Sequence, residues 1–342
     1  MRHLVTGGSG FVGSTIVRLL RERGEAVRVL DLWRSDELAE GVEFVQGDVT
    51  DAAAVAAAME GVDYVHHTAA LVPLAKAGTR YRDVNVGGTR IVLAAAEAAK
   101  VRFLAHMSSS AVFGSPEIMP ITNDTPRRPV EIYGQSKKDA EDIVLAAMAR
   151  GVKAAVIRPR TIIGLGRLGI FQILFEWIRD GANPFIIGRG GQLFQFVHAD
   201  DLCMASIQSC LLERPGAYNV GTDRFGTLRD DLTALCAHAG TGARVRSLPV
   251  GPSIALLTAL DKLGLSPLSP WHYKTYHKPF WFDSEPAFEA LEYRPRYSNI
   301  ETMVEAYDWF VREYRESAVR GDASSHKSPV KQGALALLKK LS

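Results

Sequence analysis

Thr6-Gly-Gly-Ser-Gly-Phe-Val-Gly13 sits between a short strand-like run, His3 to Thr6, and a helical run from Phe11 to Arg23 that Gly24 stops. In such a turn Gly7 permits the tight bend, Gly10 lets the backbone approach a pyrophosphate, and Gly13 allows close helix–strand packing. The N-terminus of the helix then turns its backbone N–H groups toward the phosphates. Glycine spacing alone is a weak signal, and the surrounding unit strengthens it. Asp31 closes the next predicted strand, Ala26 to Asp31, 18 residues after Gly13. A carboxylate there accepts hydrogen bonds from ribose hydroxyls and repels a 2′-phosphate, so NAD is expected over NADP. Arg34 is the counter-signal, unless it is only surface charge. Asp48, in Gly47-Asp-Val49 after the third predicted strand, either meets the adenine amine or caps the helix near Asp51.

Outward from that turn, strand and helix patterns alternate. Strands are predicted at Val42 to Gln46, Asp63 to His67, Arg102 to Met107 and Val152 to Ile157, the last closed by Arg158-Pro159. Helices are predicted at Ala52 to Met59, Thr89 to Lys100 and Tyr133 to Arg150. This alternation predicts an α/β fold with a doubly wound parallel sheet of Rossmann type. Residues 1–159 and about 191–222 are expected to form its nucleotide-binding domain. Residues 160–190 and 223–315 carry most of the aromatics and prolines and are expected to form a smaller substrate lobe. Helices are predicted there at Gln172 to Arg179 and Leu228 to His238. Phe194 to Val197 and Ala217 to Val220 read as strands returning to the main sheet. The tail from 320 to 342 holds five basic residues against one acid, and Gly333 to Leu341 reads as a weak membrane-surface or partner helix on a flexible terminus.

The chain has 342 residues, 47% hydrophobic and 23% charged, which suits an ordinary globular protein. A formal net charge of +2 argues against a nucleic-acid binder. Cys203, Cys210 and Cys236 show no metal-ligand spacing and are odd in number, so no metal and a reduced, cytoplasmic setting are expected. No signal peptide and no membrane span are read. The longest apolar candidate, Ile254 to Leu265, is interrupted by Asp261 and Lys262 and reads as a buried or interfacial helix.

Tyr133 and Lys137, in Glu131-Ile-Tyr-Gly-Gln-Ser-Lys137, are four positions apart and share one helix face. A tyrosine acting as a base near neutrality needs its phenolate stabilised by about 3 pKa units, roughly 4 kcal/mol. A fixed lysine charge beside a positively charged nicotinamide supplies such stabilisation. The pair therefore suggests proton transfer next to a hydride acceptor. Ser108, Ser109 and Ser110 end a predicted strand, and a serine hydroxyl both donates and accepts, as a substrate alternating between alcohol and ketone requires.

With these motifs in order, the chain resembles the extended short-chain dehydrogenase/reductases, which include nucleotide-sugar epimerases, dehydratases and 3β-hydroxysteroid dehydrogenases. Further matching stretches are His67-Thr-Ala-Ala70, Asn85-Val-Gly-Gly-Thr89, Ser108 to Gly114, Arg158-Pro159, Phe196 to Leu202, Tyr218-Asn-Val-Gly221 and Ala290 to Pro295. The resemblance spans roughly residues 1–315. It implies that Tyr133 is the acid/base and that Lys137 lowers its pKa and holds the nicotinamide ribose. Ser109 would bond the reacting hydroxyl, with Ser108 as the alternative in register. It also implies cofactor contacts from Gly7, Gly10, Phe11, Val12, Gly13, Asp31, Asp48, Val49, Ala69, Asn85, Tyr133, Lys137 and Arg158, and a homodimer.

Ser110 and Ala111 stand where family dehydratases carry an acidic pair, and family decarboxylases carry a glutamate in place of Ala111. The double epimerase–reductases need a catalytic cysteine and histidine that the matching motifs lack. Reversible oxidation or inversion at one alcohol carbon remains. For a nucleotide-sugar substrate, Phe194 replaces an arginine that usually serves the diphosphate, so Arg160, Arg167 or Arg189 would have to substitute. The alternative is a bulky apolar alcohol of 3β-hydroxysteroid type, for which Pro249 to Pro270 offers apolar surface. A non-catalytic NAD-binding subunit is the reading from another class.

Overall fold

The computed structural model describes residues 1–75, 77–166, 168–266, 268, 270–320 and 339. Arg167 and nearly all of the tail beyond Arg320, including the Gly333–Leu341 helix expected there, lie outside the described residues. The first half holds β1 (Arg2–Thr6), α1 (Phe11–Glu22), β2 (Ala26–Asp31), β3 (Glu43–Gln46), α2 (Ala52–Met59) and β4 (Tyr64–His67). It continues with α3 (Thr89–Ala98), β5 (Phe103–Met107), α4 (Ile132–Ala149) and β6 (Ala154–Pro159). Then come β7 (Thr161–Ile163), α5 (Phe171–Arg179), β8 (Phe185–Ile187), β9 (Phe196–His198), α6 (Ala199–Leu211) and β10 (Gly216–Val220). They are followed by α7 (Leu228–Ala239), β11 (Arg246–Leu248), α8 (Val250–Lys262), α9 (Pro270–Thr275), α10 (Glu285–Ala290) and α11 (Asn299–Arg320).

Among the described residues, seven strands form one parallel sheet in the order β10-β6-β5-β4-β1-β2-β3. The chain runs outward from β1 to β3, then returns to lay β4 on the other side of β1. That reversal opens a crevice at the carboxyl ends of β1 and β4, where open α/β sheets bind ligands. The sheet is covered on both faces, as the two-residue strand period requires. Leu4, Val65 and Leu104 pack with Val92 of α3 and Val144 of α4. Their chain neighbours point the opposite way: Val5 packs with Ile16 of α1 and Ile207 of α6, and Tyr64 and Ala105 with Leu202.

Another apolar cluster draws on the later elements. Phe171 and Phe175 of α5, Leu232 and Leu235 of α7 and Tyr307 and Phe310 of α11 gather around Phe194, Phe196, Phe280 and Phe282. Edge-on ring pairs such as Phe175–Tyr307 at 87° and Phe171–Phe196 at 81° give it defined geometry.

Two expectations need correction. The strand near Phe194–Val197 does not return to the seven-stranded sheet, because β9 pairs with β7 in a separate two-stranded ladder. Pro159 lacks an N–H to carry the β6 ladder onward, and the Arg160 N–H is spent on the Val220 carbonyl at 2.9 Å, so the chain restarts as β7. Of the two readings of the helix around Ile254–Leu265, buried or interfacial, the buried one fails: α8 buries Ser253 and Leu257 but exposes Leu256. An unexpected π-helical turn, Arg82–Gly88, leads into α3.

Candidate active site

The site begins at the β1–α1 turn. Gly7 has φ +72°, and a side chain on Gly13 would collide with the Gly7 carbonyl. Gly10 stands at the N-cap of α1 and offers no side-chain cap, the arrangement a dinucleotide phosphate exploits. At the end of β2 the Asp31 carboxylate accepts from the Ser9 N–H at 2.9 Å and the Leu32 N–H at 2.7 Å. Burial nevertheless pushes its pKa above the usual carboxylate range. Asp51, not Asp48, caps α2 by accepting from Ala53 and Ala54, while Asp48 accepts from the Thr50 N–H at 2.9 Å. Asp48 therefore keeps its place on the cleft wall.

At the end of β5 the three serines divide. Ser108 donates its hydroxyl to Glu141 Oε2 at 2.7 Å. Ser110 accepts from Arg160 Nη1 at 3.3 Å. Ser109 is half-buried and accepts the Ala111 N–H at 3.2 Å.

Opposite them, Tyr133 lies in the first turn of α4. Glu131 caps that helix with both carboxylate oxygens, accepting the Tyr133 N–H at 2.9 Å and the Gly134 N–H at 2.7 Å. Burial pushes the Glu131 pKa up against those two bonds. Lys137, one turn later, is buried and donates from Nζ to the Met107 carbonyl at 2.5 Å. Burial pushes its pKa down to about 8, with Glu141 opposing. Behind Lys137 are His67 and His106, whose pKa values fall through burial and through the lysine charge, His67 to about 3. His67 is held between Thr6 Oγ1 at 2.8 Å and Thr89 Oγ1 at 3.0 Å.

The glycine turn, the ends of β2 and β5 and the Tyr133–Lys137 face border one cleft of about 370 Å³. Gly7, Gly10, Phe11, Val12, Gly13, Asp31, Asp48, Val49 and Ala69 line one part, and Ser109, Ser110, Tyr133, Lys137 and Arg160 another. Other expected residues stand back from it. Asn85 clamps the wall by bonding both backbone groups of Leu71, at 2.8 and 3.2 Å, and Ser136 Oγ at 2.9 Å. Arg158 is buried under the serines, donating to Glu141 Oε1 through Nε at 3.1 Å and Nη2 at 2.6 Å, and through Nη1 to Asn123 and Asn219. Arg158 is thus absent from the cleft lining, where a cofactor contact was expected of it. Arg189 is exposed and Phe194 is core, both outside the cleft lining.

Sequence reading missed Glu131 and Glu141 as parts of this arrangement. The glutamate two residues before Tyr133, at a helix start, carried a capping signal. Glu141 had a weaker one, lying one helical turn beyond Lys137 on the same face. Among the described residues no group of metal-binding side chains occurs, and no helix is long and apolar enough to cross a membrane.

The family model of the NAD dependent epimerase/dehydratase family matches residues 3–221. The uncharacterized protein y4nG of Sinorhizobium fredii (strain NBRC 101917 / NGR234) is 42% identical over 98% of this chain and 85% of its own length. The 3 beta-hydroxysteroid dehydrogenase/Delta 5-->4-isomerase of Mycobacterium tuberculosis (strain ATCC 25618 / H37Rv) is 38% identical over 55% of this chain, and the match spans only 54% of that relative. Among solved structures, UDP-glucose 4-epimerase of Thermus thermophilus in complex with NAD superposes with TM-score 0.73 at 26% identity, covering 92% of this chain and all of the other. A glycine turn without room for a Cβ, a carboxylate at the end of β2 on the same cleft and that match over most of the sheet agree: the chain belongs to the NAD dependent epimerase/dehydratase family, and NAD is its cofactor.

Proposed function

We propose that the protein catalyses reversible oxidation of a secondary alcohol, either as net dehydrogenation or as inversion at the same carbon. The observation that carries this reading is that Tyr133, Lys137 and Ser109 border the same cleft as the glycine turn and Asp31. When bound, NAD supplies the hydride acceptor and donor. Gly7, Gly10 and Gly13 would hold its phosphates and Asp31 its ribose.

The chain's own groups handle the proton. Tyr133 takes the hydroxyl proton on oxidation and returns it on reduction. Lys137, pinned to the Met107 carbonyl, sets a positive charge near the phenol and favours its phenolate. Ser109 holds the substrate oxygen, donating to a ketone and accepting from an alcohol. Ser108, whose hydroxyl already donates to Glu141, is poorly suited to that task. Ser110 and Ala111 offer no carboxyl group for elimination.

A nucleotide sugar is the first substrate reading, supported by the likeness to the Thermus epimerase and by an arginine, Arg160, in the cleft. A bulky apolar alcohol is the second, supported by the wall of Leu71, Val72, Ile162, Leu168, Ile170 and Phe171 and by the mycobacterial relative. Three buried, unpaired thiols fit a reducing compartment.

The test is a screen of UDP-sugars and 3β-hydroxysteroids for NADH formation and for isomerisation without net NADH. Tyr133→Phe should keep NAD binding and lose turnover by about 10²–10⁴. Retention of more than about a tenth of wild-type turnover against that range would remove Tyr133 from the role.

A further inference from the structure

Arg160 follows Pro159 at the carboxyl end of β6, and its backbone is tied to the Val220 carbonyl at 2.9 Å. Arg160 lines the cleft yet is only 1% exposed. Three aromatic rings surround the guanidinium, with centroids at 4.1 Å for Phe280, 5.0 Å for Phe194 and 5.7 Å for Phe282. Among the described residues it makes no ion pair. Nη1 donates to Ser110 Oγ at 3.3 Å, while Nε and Nη2 have no hydrogen-bond partner. Burial pushes its pKa down to about 9.

A buried cation without a counter-charge is costly, and aromatic faces return only part of that cost. The neighbouring Arg158 shows the usual remedy, a buried carboxylate within the protein, Glu141, whose Oε1 accepts from both Nε and Nη2. Arg160 lacks one, and its planar fork of donors matches a carboxylate or phosphate supplied from outside. Its bond to Ser110 puts the guanidinium one residue from Ser109, and consecutive Cα atoms are only about 3.8 Å apart.

We propose that Arg160 receives an anionic oxygen group, a carboxylate or a phosphate, carried by the substrate near its reacting hydroxyl. This rests on the assignment of the cleft to alcohol chemistry, and it makes the substrate an acidic alcohol. The aromatic rings hold the guanidinium in place until the anion arrives, and the anion's oxygens then occupy the unfilled donors. A purely structural arginine would instead serve only to pack the rings, which an apolar side chain of similar length does as well.

The experiment measures Kd by calorimetry on the full, NAD-loaded chain for two matched pairs. UDP against uridine reports the phosphate source, and 3-hydroxyoctanoate against its methyl ester reports the carboxylate source. In the wild type, one anion should bind about tenfold or more tightly than its neutral partner. Arg160→Met should erase that preference while NAD affinity stays within about twofold, and Arg160→Lys should restore only part of it, lacking the fork. Arg160→Gln gives the same reading if Arg160→Met does not fold. Absence of any anion preference in the wild type, including no binding of either anion, overturns the proposal. So does a preference that survives in Arg160→Met or Arg160→Gln. Tyr133→Phe should leave the preference unchanged. Normal turnover by that variant would instead refute the catalytic assignment while leaving these affinity contrasts readable.

Discussion

Lys137 Nζ donates to the carbonyl oxygen of Met107 at 2.5 Å, tying the first turns of α4 to the last residue of β5. The bond fixes the lysine between the two elements that carry Tyr133 and the serines. It also holds an ammonium group in a site where burial lowers its pKa to about 8.

That position has a measurable pH signature. In the unfolded chain the lysine titrates near 10.4, so between about 8 and 10.4 the unfolded state binds the extra proton. Stability should therefore rise with pH across that window, the cost of the buried charge being fully present below it. Lys137→Met should stabilise the cofactor-free protein at pH 7 by roughly 1–3 kcal/mol, and the gain should shrink toward pH 10. Turnover should be lost in the same variant. Thermal unfolding at pH 7 and pH 10 checks this, and a less stable variant at pH 7 would contradict it.

Asp31 predicts cofactor choice. Its carboxylate ends β2 on the cleft wall and should favour NAD over NADP by well over about tenfold, more than 1.4 kcal/mol. Asp31→Ala should narrow the gap. Equal affinity of the intact protein for both nucleotides, measured by calorimetry, would refute the role.

Arg158 should behave as a structural residue. Removing its side chain strands the buried Glu141 carboxylate, leaving Arg127 and Ser108 as its hydrogen-bond partners among the described residues. Arg158→Ala should cost about 3–5 kcal/mol of stability, the usual penalty for breaking a buried pair. NAD affinity of the folded fraction should change little. A large loss of NAD affinity with unchanged stability would return Arg158 to the cofactor site.

The reaction should change substrate mass by two hydrogens or not at all. Ser110 and Ala111 leave the cleft without an acid beside Ser109 to eliminate water. Mass spectrometry of the true substrate and product decides the matter, with loss of water or carbon dioxide as the contrary result.

Local rules made much of this protein legible in its sequence. Glycine sterics, the strand period and the helical repeat act over a few residues, so the Gly7–Gly13 turn, the alternating elements and the Tyr133–Lys137 face follow from neighbours in the chain. Asp31 needed only the end of a strand. Partner choice is different. The Ser108 hydroxyl donates to Glu141, 33 residues away, and Arg158 was claimed by the same carboxylate, 17 residues away. Which of Arg160 and Arg189 enters the cleft, and that β9 pairs with β7, depended on how the later segments pack around Phe194 and Phe280. Hydrogen-bond and ion-pair partners are settled by distances of a few ångströms between segments remote in the chain. Those distances exist only once the apolar clusters have closed, so tertiary packing alone decided them.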